Sequence, residues 1–425
     1  MIKKEFPELG EFYWEETLKN GLVVRVIPKP EFSRAYAFLA VDFGSIDTSF
    51  TWNGQHYETP AGVAHYLEHK MFDLPEGSAM DAFARYGGGN NAFTNYTMTA
   101  YYVECTEYFK ENLQILLKMV TTPYFTEESV EKERGIIAQE IRMYEDSADS
   151  AVFENLFASL YHTHPARVPI AGTVESISHI TAKTLEDVYS AFYRPGNMML
   201  TVMGCVDPES VVREAEENTP PADGWMPPVR NYGPEEPLLV QSRKSDTRME
   251  VSMPTFVLGF KCESTWRGPE TMRQEILGDL AAEMLVGESS GLYQKLYEAN
   301  LIDSDFSAGF ERMKGLGILE AVGDSEEPER VMQEILDETA RILREGLDEE
   351  QFIRLKKSAV GRRTRDIDSF ESTCYRICAA YFDGVEYLDY PAVYQKLTVQ
   401  DAADFLRQAV QPDRLSLSVI RPKNS

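Results

Sequence analysis

Two histidines and a glutamate lie within five residues in His65-Tyr66-Leu67-Glu68-His69. At about 100° per residue, a helix here sets the two imidazoles about 40° apart, with Glu68 about 60° to one side of His65. Two ring nitrogens can hold a metal ion while the neighbouring carboxylate takes a proton from water, which is the chemistry of metal-assisted hydrolysis. Val63, Ala64, Leu67 and Met71 form a separate apolar stripe, so packing and chemistry use different sides of the helix. Thr59 and Pro60 are the expected N-cap and first-turn proline. The bland alternative is a pair of ordinary surface or core histidines, and the helical context argues against it.

A hydrolytic zinc takes three protein ligands and keeps one position open for water, so a second helix with an inward acid is required. Residues 126–144 meet that need. Val130, Ile137, Ile141 and Tyr144 mark a buried face, and Glu133 and Glu140 fall in the same stripe. An unpaired buried carboxylate is costly. These two acids therefore ligate a cation or hydrogen-bond to something that does, unless the stripe is partly solvated and both are surface residues.

His65-x-x-Glu68-His69, with Glu140 71 residues beyond His69 and Glu133 seven before it, resembles the inverted zinc motif of the pitrilysin/insulinase family. The length fits its bacterial branch, the one similar to mitochondrial processing peptidase. Gly87, the run Asn91-Ala92-Phe93-Thr94, then Thr99 and Tyr101-Tyr102 resemble the family's substrate strand. Gly172 and the run Tyr193-Arg194-Pro195-Gly196-Asn197-Met198 occupy their usual places.

The resemblance implies one Zn2+ per chain bound by His65, His69 and Glu140. It implies Glu133 orienting a ligand from behind, Glu68 as general base, and Asn91, Ala92, Phe93 and Thr94 binding substrate. The implied fold is α+β: two similar domains, each a mostly antiparallel sheet covered by helices, closing as a clamshell around a chamber. A peptide held by main-chain pairing along an exposed sheet edge would present one carbonyl to the metal. An internal strand with Asn91 satisfying a turn is the other reading of that run.

A chain of 425 residues is long for one core and suggests two or three domains. No stretch approaches 18 apolar residues and the first residues lack a signal-peptide hydrophobic region, so a soluble cytoplasmic protein is expected. Cys105, Cys205, Cys262, Cys374 and Cys378 are odd in number and scattered, which fits buried thiols of a reducing compartment. A net charge of −27 speaks against nucleic acid and anionic membranes as partners. The short run Arg362-Arg363-Thr364-Arg365 reads as a solvated helix face.

Asn20-Gly21 between apolar runs predicts an opening hairpin. Another strand is expected over 35–43, a long strand over about 91–105, and helices around 107–120 and 126–145. Six prolines between Asn218 and Pro237 mark a linker. The expected division is a zinc-bearing domain over 1–217, a linker over 218–240 and a metal-free domain over 241–425. The segment 125–132 resembles 347–354 at an offset of 222, where Glu140 corresponds to Arg362 and Glu133 to Leu355, and the second half has no histidine. One live and one metal-free copy follow from this duplication.

The family's second domain usually offers an arginine and, seven residues later, a tyrosine to the substrate. Here Tyr297 stands in the arginine's place and no tyrosine follows where expected. Either a metal-free paralogue completes the site in a heterodimer, or Tyr293, Tyr297 or Arg312 substitutes from within the chain, which then works alone or as a homodimer. Zinc-dependent endopeptidase action on peptides or short unfolded segments in a closed chamber is the function expected. A non-hydrolytic peptide-binding or assembly subunit is the alternative from another class. A metal-dependent hydrolase of a non-peptide substrate is a third reading.

Overall fold

Asn20 closes a hairpin by accepting the Leu22 amide on its side chain at 3.1 Å, and the sheet of the first half grows from that turn. In the computed structural model, which describes residues 1–423, the strands of this half are β1 (Ile2–Phe6), β2 (Glu11–Thr17), β3 (Val23–Pro28), β4 (Ala35–Val41), β5 (Gly89–Thr94), β6 (Thr99–Cys105) and β7 (Met198–Gly204). Its main helices are α1 (Val63–Lys70), α2 (Phe109–Thr121), α3 (Glu127–Glu145), α4 (Ala148–Leu160) and α5 (Ala182–Phe192). The second half holds β8 (Lys244–Met249), β9 (Thr255–Cys262), β10 (Ser307–Met313), β11 (Leu316–Asp324) and β12 (Leu415–Pro422). Its main helices are α6 (Glu270–Val286), α7 (Pro328–Glu345), α8 (Glu349–Asp366), α9 (Phe370–Asp383) and α10 (Val399–Ala409).

The duplication expected from sequence reappears as topology. The first sheet runs β1-β2-β3-β7-β4-β6-β5 and the second β8-β12-β9-β11-β10. In each, the closing strand lies parallel to the first strand of the shared motif, β7 on β3 and β12 on β8. The other shared pairings are antiparallel. Only the first sheet carries the extra hairpin partners β1 and β2. The fold is thus two mixed α/β units, each an open sheet with helices.

The single long strand expected over 91–105 is instead two strands joined by a turn. Asn95 makes the turn with its side chain, accepting from the amides of Thr97 at 2.8 Å and Met98 at 2.7 Å. A Cβ at Gly44 would lie 2.4 Å from the Thr97 nitrogen, so the bare backbone there lets the turn seat itself. The register then sets Thr94 opposite Thr99, a pairing an unbroken strand would forbid.

The two compact units are not continuous in sequence. Unit 1 comprises Met1–Ile141, Pro169–Tyr232 and Arg365–Phe382, and unit 2 the remainder. Two helices at equivalent places in the repeat are thereby exchanged: α4 is counted with unit 2 and most of α9 with unit 1. α9 packs on the first sheet through Phe370 against Phe32, with ring centroids 5.1 Å apart, and through Cys378, whose sulfur lies 3.2 Å from the Thr201 hydroxyl. α4 is held in unit 2 by buried Lys261, whose ammonium donates to the Leu160 carbonyl at 2.9 Å.

The proline-rich segment is tied down rather than free. Val229–Arg230 pairs with the strand Ser49–Trp52, Arg230 forms ion pairs with Asp42 and Asp47, and the Trp225 indole donates to the Ala191 carbonyl at 2.9 Å. Further on, Glu236 pairs with Lys261 at 2.7 Å and accepts from the amides of His162, Thr163 and His164. Burial alone would raise its carboxyl; these amides and the ammonium outweigh it and hold Glu236 down at about 2. Four cysteines are buried as expected, but Cys205 is exposed, and all five are free. Among the described residues no helix is long and apolar enough to cross a membrane.

Candidate metal centre

α1 is short, and its start differs from the sequence reading. The N-cap is Gly62, at φ 89°, not Thr59, whose hydroxyl donates to the Thr48 carbonyl at 2.9 Å. The chain at this point runs against the loop around Gly172. A Cβ at Gly62 would lie 2.4 Å from the Ala171 oxygen, so only glycine allows both the left-handed turn and the close approach. Val63, Ala64, Leu67 and Met71 are fully buried as the stripe predicts. The Tyr66 hydroxyl donates to the Val130 carbonyl and fastens α1 to α3.

On the remaining side of α1 the histidines meet α3. Ligand atoms of His65, His69 and Glu140 all lie within 4.8 Å of one another. The Nε2 atoms of His65 and His69 stand 3.5 and 3.3 Å from the two carboxylate oxygens of Glu140. Glu133, one more turn pair back along α3, takes His69 from behind, with Oε1 3.0 Å from Nδ1. That contact fixes the ring and leaves Nε2 to face Glu140. His65 lacks such support: its Nδ1 is buried without a hydrogen-bond partner.

The donor set fits a divalent cation such as zinc, being two imidazole nitrogens and a carboxylate converging with a second carboxylate behind one ring. The electrostatics agree. Burial opposes a charge on His69, yet hydrogen bonds to Glu133 and Glu140 overcome it and push the imidazole up to about 10. A proton thus takes the place for which the site requires positive charge.

Glu68 is 7 % exposed. Burial raises its carboxyl above the ordinary range, against the pull of His65, a hydrogen bond from Thr94 and the pull of His69. The Thr94 hydroxyl donates to Glu68 Oε2 at 2.6 Å. Thr94 belongs to the run expected to bind substrate, and its side chain also reaches the carboxylate. Asn91, Ala92 and Phe93 lie on β5, the edge strand of the sheet, which packs beside α1. Asn91 is exposed, and its side chain accepts from the Ala92 amide at 2.9 Å. Phe93 shares the face of Asn91, opposite that of Thr94, its ring 5.9 Å from that of Tyr375 on α9.

The residues considered as stand-ins for the missing arginine and tyrosine are placed unevenly. The Arg312 side chain is buried, forms an ion pair with Asp383 and donates to the Thr265 carbonyl at 3.2 Å, all within unit 2. Tyr297 is 52 % exposed and stacks on Tyr293 with ring planes 8° apart. Arg362, which matches Glu140 in the repeat, pairs with Glu283 at 2.5 Å.

Behind Thr94 lies a group that sequence reading did not assign to the site. Thr99 Oγ1 is 3.4 Å from Thr94 Oγ1 and donates to the Phe43 carbonyl at 2.9 Å. Beyond Thr99 lies buried Tyr193, whose hydroxyl is 2.8 Å from that of Tyr101. Two threonines flanking a turn were the available signal, and the expectation of one continuous strand concealed it.

Comparison with known proteins agrees with this geometry. The profile described as Insulinase (Peptidase family M16) matches residues 50–174, and that described as Peptidase M16 inactive domain matches residues 179–359. The uncharacterized zinc protease YmfH of Bacillus subtilis (strain 168) is 35% identical over 433 residues, covering 100% of both chains. The uncharacterized zinc protease YmxG of the same organism is 25% identical over 338 residues, covering 76% of this chain and 79% of that one. The crystal structure of an M16-like peptidase from Alicyclobacillus acidocaldarius superposes with a TM-score of 0.94 at 32% identity, over 99% of this chain and 100% of that one.

Proposed function

Because the chain belongs to the insulinase family of peptidases (Peptidase family M16), we propose that it is a zinc-dependent endopeptidase acting on peptides or short unfolded segments, with Glu68 as general base. The convergence of His65, His69 and Glu140 beside a buried Glu68 carries this reading. His65 Nε2, His69 Nε2 and Glu140 would hold one Zn2+, and Glu133 would keep the His69 ring oriented. When bound, the zinc supplies Lewis acidity that acidifies water and polarises a peptide carbonyl. Glu68 accepts the proton of the attacking water and returns it to the leaving amine. Main-chain pairing along the free edge of β5 at Asn91, Ala92 and Phe93 aligns the peptide without demanding a particular sequence.

Enclosure of the substrate in a chamber, action in the cytoplasm, the division at 217 and 241, and the absence of nucleic-acid or membrane partners belong to the same proposal. The deciding experiment pairs zinc analysis with a peptide-library assay. Glu68→Gln is expected to keep zinc and lose about 10²- to 10⁴-fold in kcat. A variant that binds zinc and still cleaves at the parental rate rejects the assigned role.

We further propose that a metal-free paralogue supplies the oxyanion contacts, since Arg312 is committed elsewhere and Tyr297 stands where the family carries arginine. A missing donor of this kind forfeits about 10²- to 10³-fold in kcat. The isolated chain should therefore be weakly active and gain rate on forming a heterodimer. Ordinary peptidase rates from a monomer or homodimer, established by light scattering, would exclude the pairing.

A further inference from the structure

Glu68 is a buried carboxylate, and a general base works only if one oxygen is held toward the water while the other is anchored. Its anchor here is a hydroxyl. Thr94, the last residue of β5, donates to Oε2 at 2.6 Å. The hydroxyl has a single proton, and that proton is spent on the carboxylate, so Thr94 must itself be steadied from behind. Thr99 fills that place across the hairpin, its Oγ1 3.4 Å from that of Thr94. Next come Tyr193 and Tyr101, both fully buried, their hydroxyls 2.8 Å apart. Four hydroxyls thus lie inward of the carboxylate as two pairs, Thr94 with Thr99 at 3.4 Å and, behind them, Tyr193 with Tyr101 at 2.8 Å.

The Thr99 proton has two acceptors within reach, the Phe43 carbonyl at 2.9 Å and Thr94 at the longer distance. When it turns to Thr94, both threonine hydroxyls donate toward the carboxylate, and each bond polarises the next. We infer that Thr94 is a positioning residue for the general base, holding Oε2 through this threonine pair so that Oε1 is the oxygen that receives the proton. The assignment rests on Glu68 being the base. It gives Thr94 a task distinct from substrate contact.

The test uses the full-length chain loaded with zinc. Thr94→Val preserves shape and removes the hydroxyl, whereas Thr94→Ser keeps the hydroxyl. The valine variant should lose about 10- to 100-fold in kcat with KM, zinc content and melting temperature unchanged, and the serine variant should stay within about threefold of the parent. Tyr193→Phe, which removes a hydroxyl behind the threonines, should lose about two- to fivefold. Crystal structures give a second readout: the Glu68 side chain should occupy one rotamer with serine at position 94 and several with valine. In a Glu68→Gln background, Thr94→Val should cost nothing further, because Thr94 acts only through the carboxylate. A valine variant with parental kcat beside an inactive Glu68→Gln overturns this inference alone, as does a loss confined to KM. Parental kcat in Glu68→Gln itself overturns the reading beneath it and this inference with it.

Discussion

In the first half of the chain the helix after β4 faces α3 through His65, His69 and Glu140, three groups that offer lone pairs to one point. In the second half the helix after β9 faces α8 through ion pairs already complete, Arg362 with Glu283 at 2.5 Å and Arg363 with Glu275 at 2.8 Å. The scaffold is the same, down to strand order and the parallel pairing of its closing strand. What differs is whether the positive charge comes from a side chain or from outside. A copy that brings its own arginine has no use for a metal, and a copy that withholds it creates demand for one.

The largest expected effect breaks the metal half alone. His65→Ala, His69→Ala and Glu140→Gln should each strip zinc, abolish hydrolysis and remove the drop in melting temperature that a chelator causes in the parent. Full zinc occupancy by elemental analysis in all three would refute the ligand set. Because His69 without metal holds its proton up to about 10, zinc must displace that proton at neutral pH. Apparent affinity should then rise by up to about tenfold per pH unit, with about one proton released per zinc in calorimetry across buffers of different ionisation enthalpy. Glu133→Gln should sit between, weakening zinc about 10- to 100-fold while leaving the ligands in place.

The smallest effect sharpens the contrast from the other half. At matching places in the two sheets, Tyr102 lies opposite Phe38 and Asn91, whereas Glu320 lies opposite Gly259 and Gly309. Burial, with Glu311 adding to it, pushes the Glu320 carboxyl up from 4.5 to about 8. A folded-state value above the unfolded one favours the protonated form, so stability should be full below about 4.5 and fall as pH rises toward 8. Denaturant midpoints at the two ends of that window should show the decline in the parent and a flatter profile in Glu320→Gln. Equal slopes would mean that Glu320 is solvated after all.

Much of this was readable in advance because it follows from local spacing. The apolar stripe of α1, the shared side of His65 and His69, the opening hairpin and the loss of ligands at Arg362 depend on residues a few positions apart or on one offset, whereas the meeting of the histidines with Glu133 and Glu140 was legible only through the family resemblance. What escaped depends on close approach between distant segments. Gly62 displaced Thr59 as the cap because of where Ala171 lies. The hairpin at Asn95 hid in a run of strand-forming residues because its turn is made by a side chain rather than by a Gly or Pro pair. The role of Thr94 toward Glu68 was invisible for the same reason, since it exists only once the strand has turned.

The exchange of α4 and α9 between the two units has a consequence during synthesis. The first sheet receives Phe370, Cys374 and Cys378 from a helix made only in the last seventh or so of the chain, long after Thr201 and Phe32 have left the ribosome. Domains commonly fold as they emerge, N-terminal first. Here the half that carries the metal ligands has to wait, its sheet uncovered at that face, until residue 382 is available. Contacts so far apart in sequence slow folding, and they link the two halves as one event. Severing the gene at the proline-rich segment would leave each product short of a helix encoded in the other, so the pieces should regain structure only when made together.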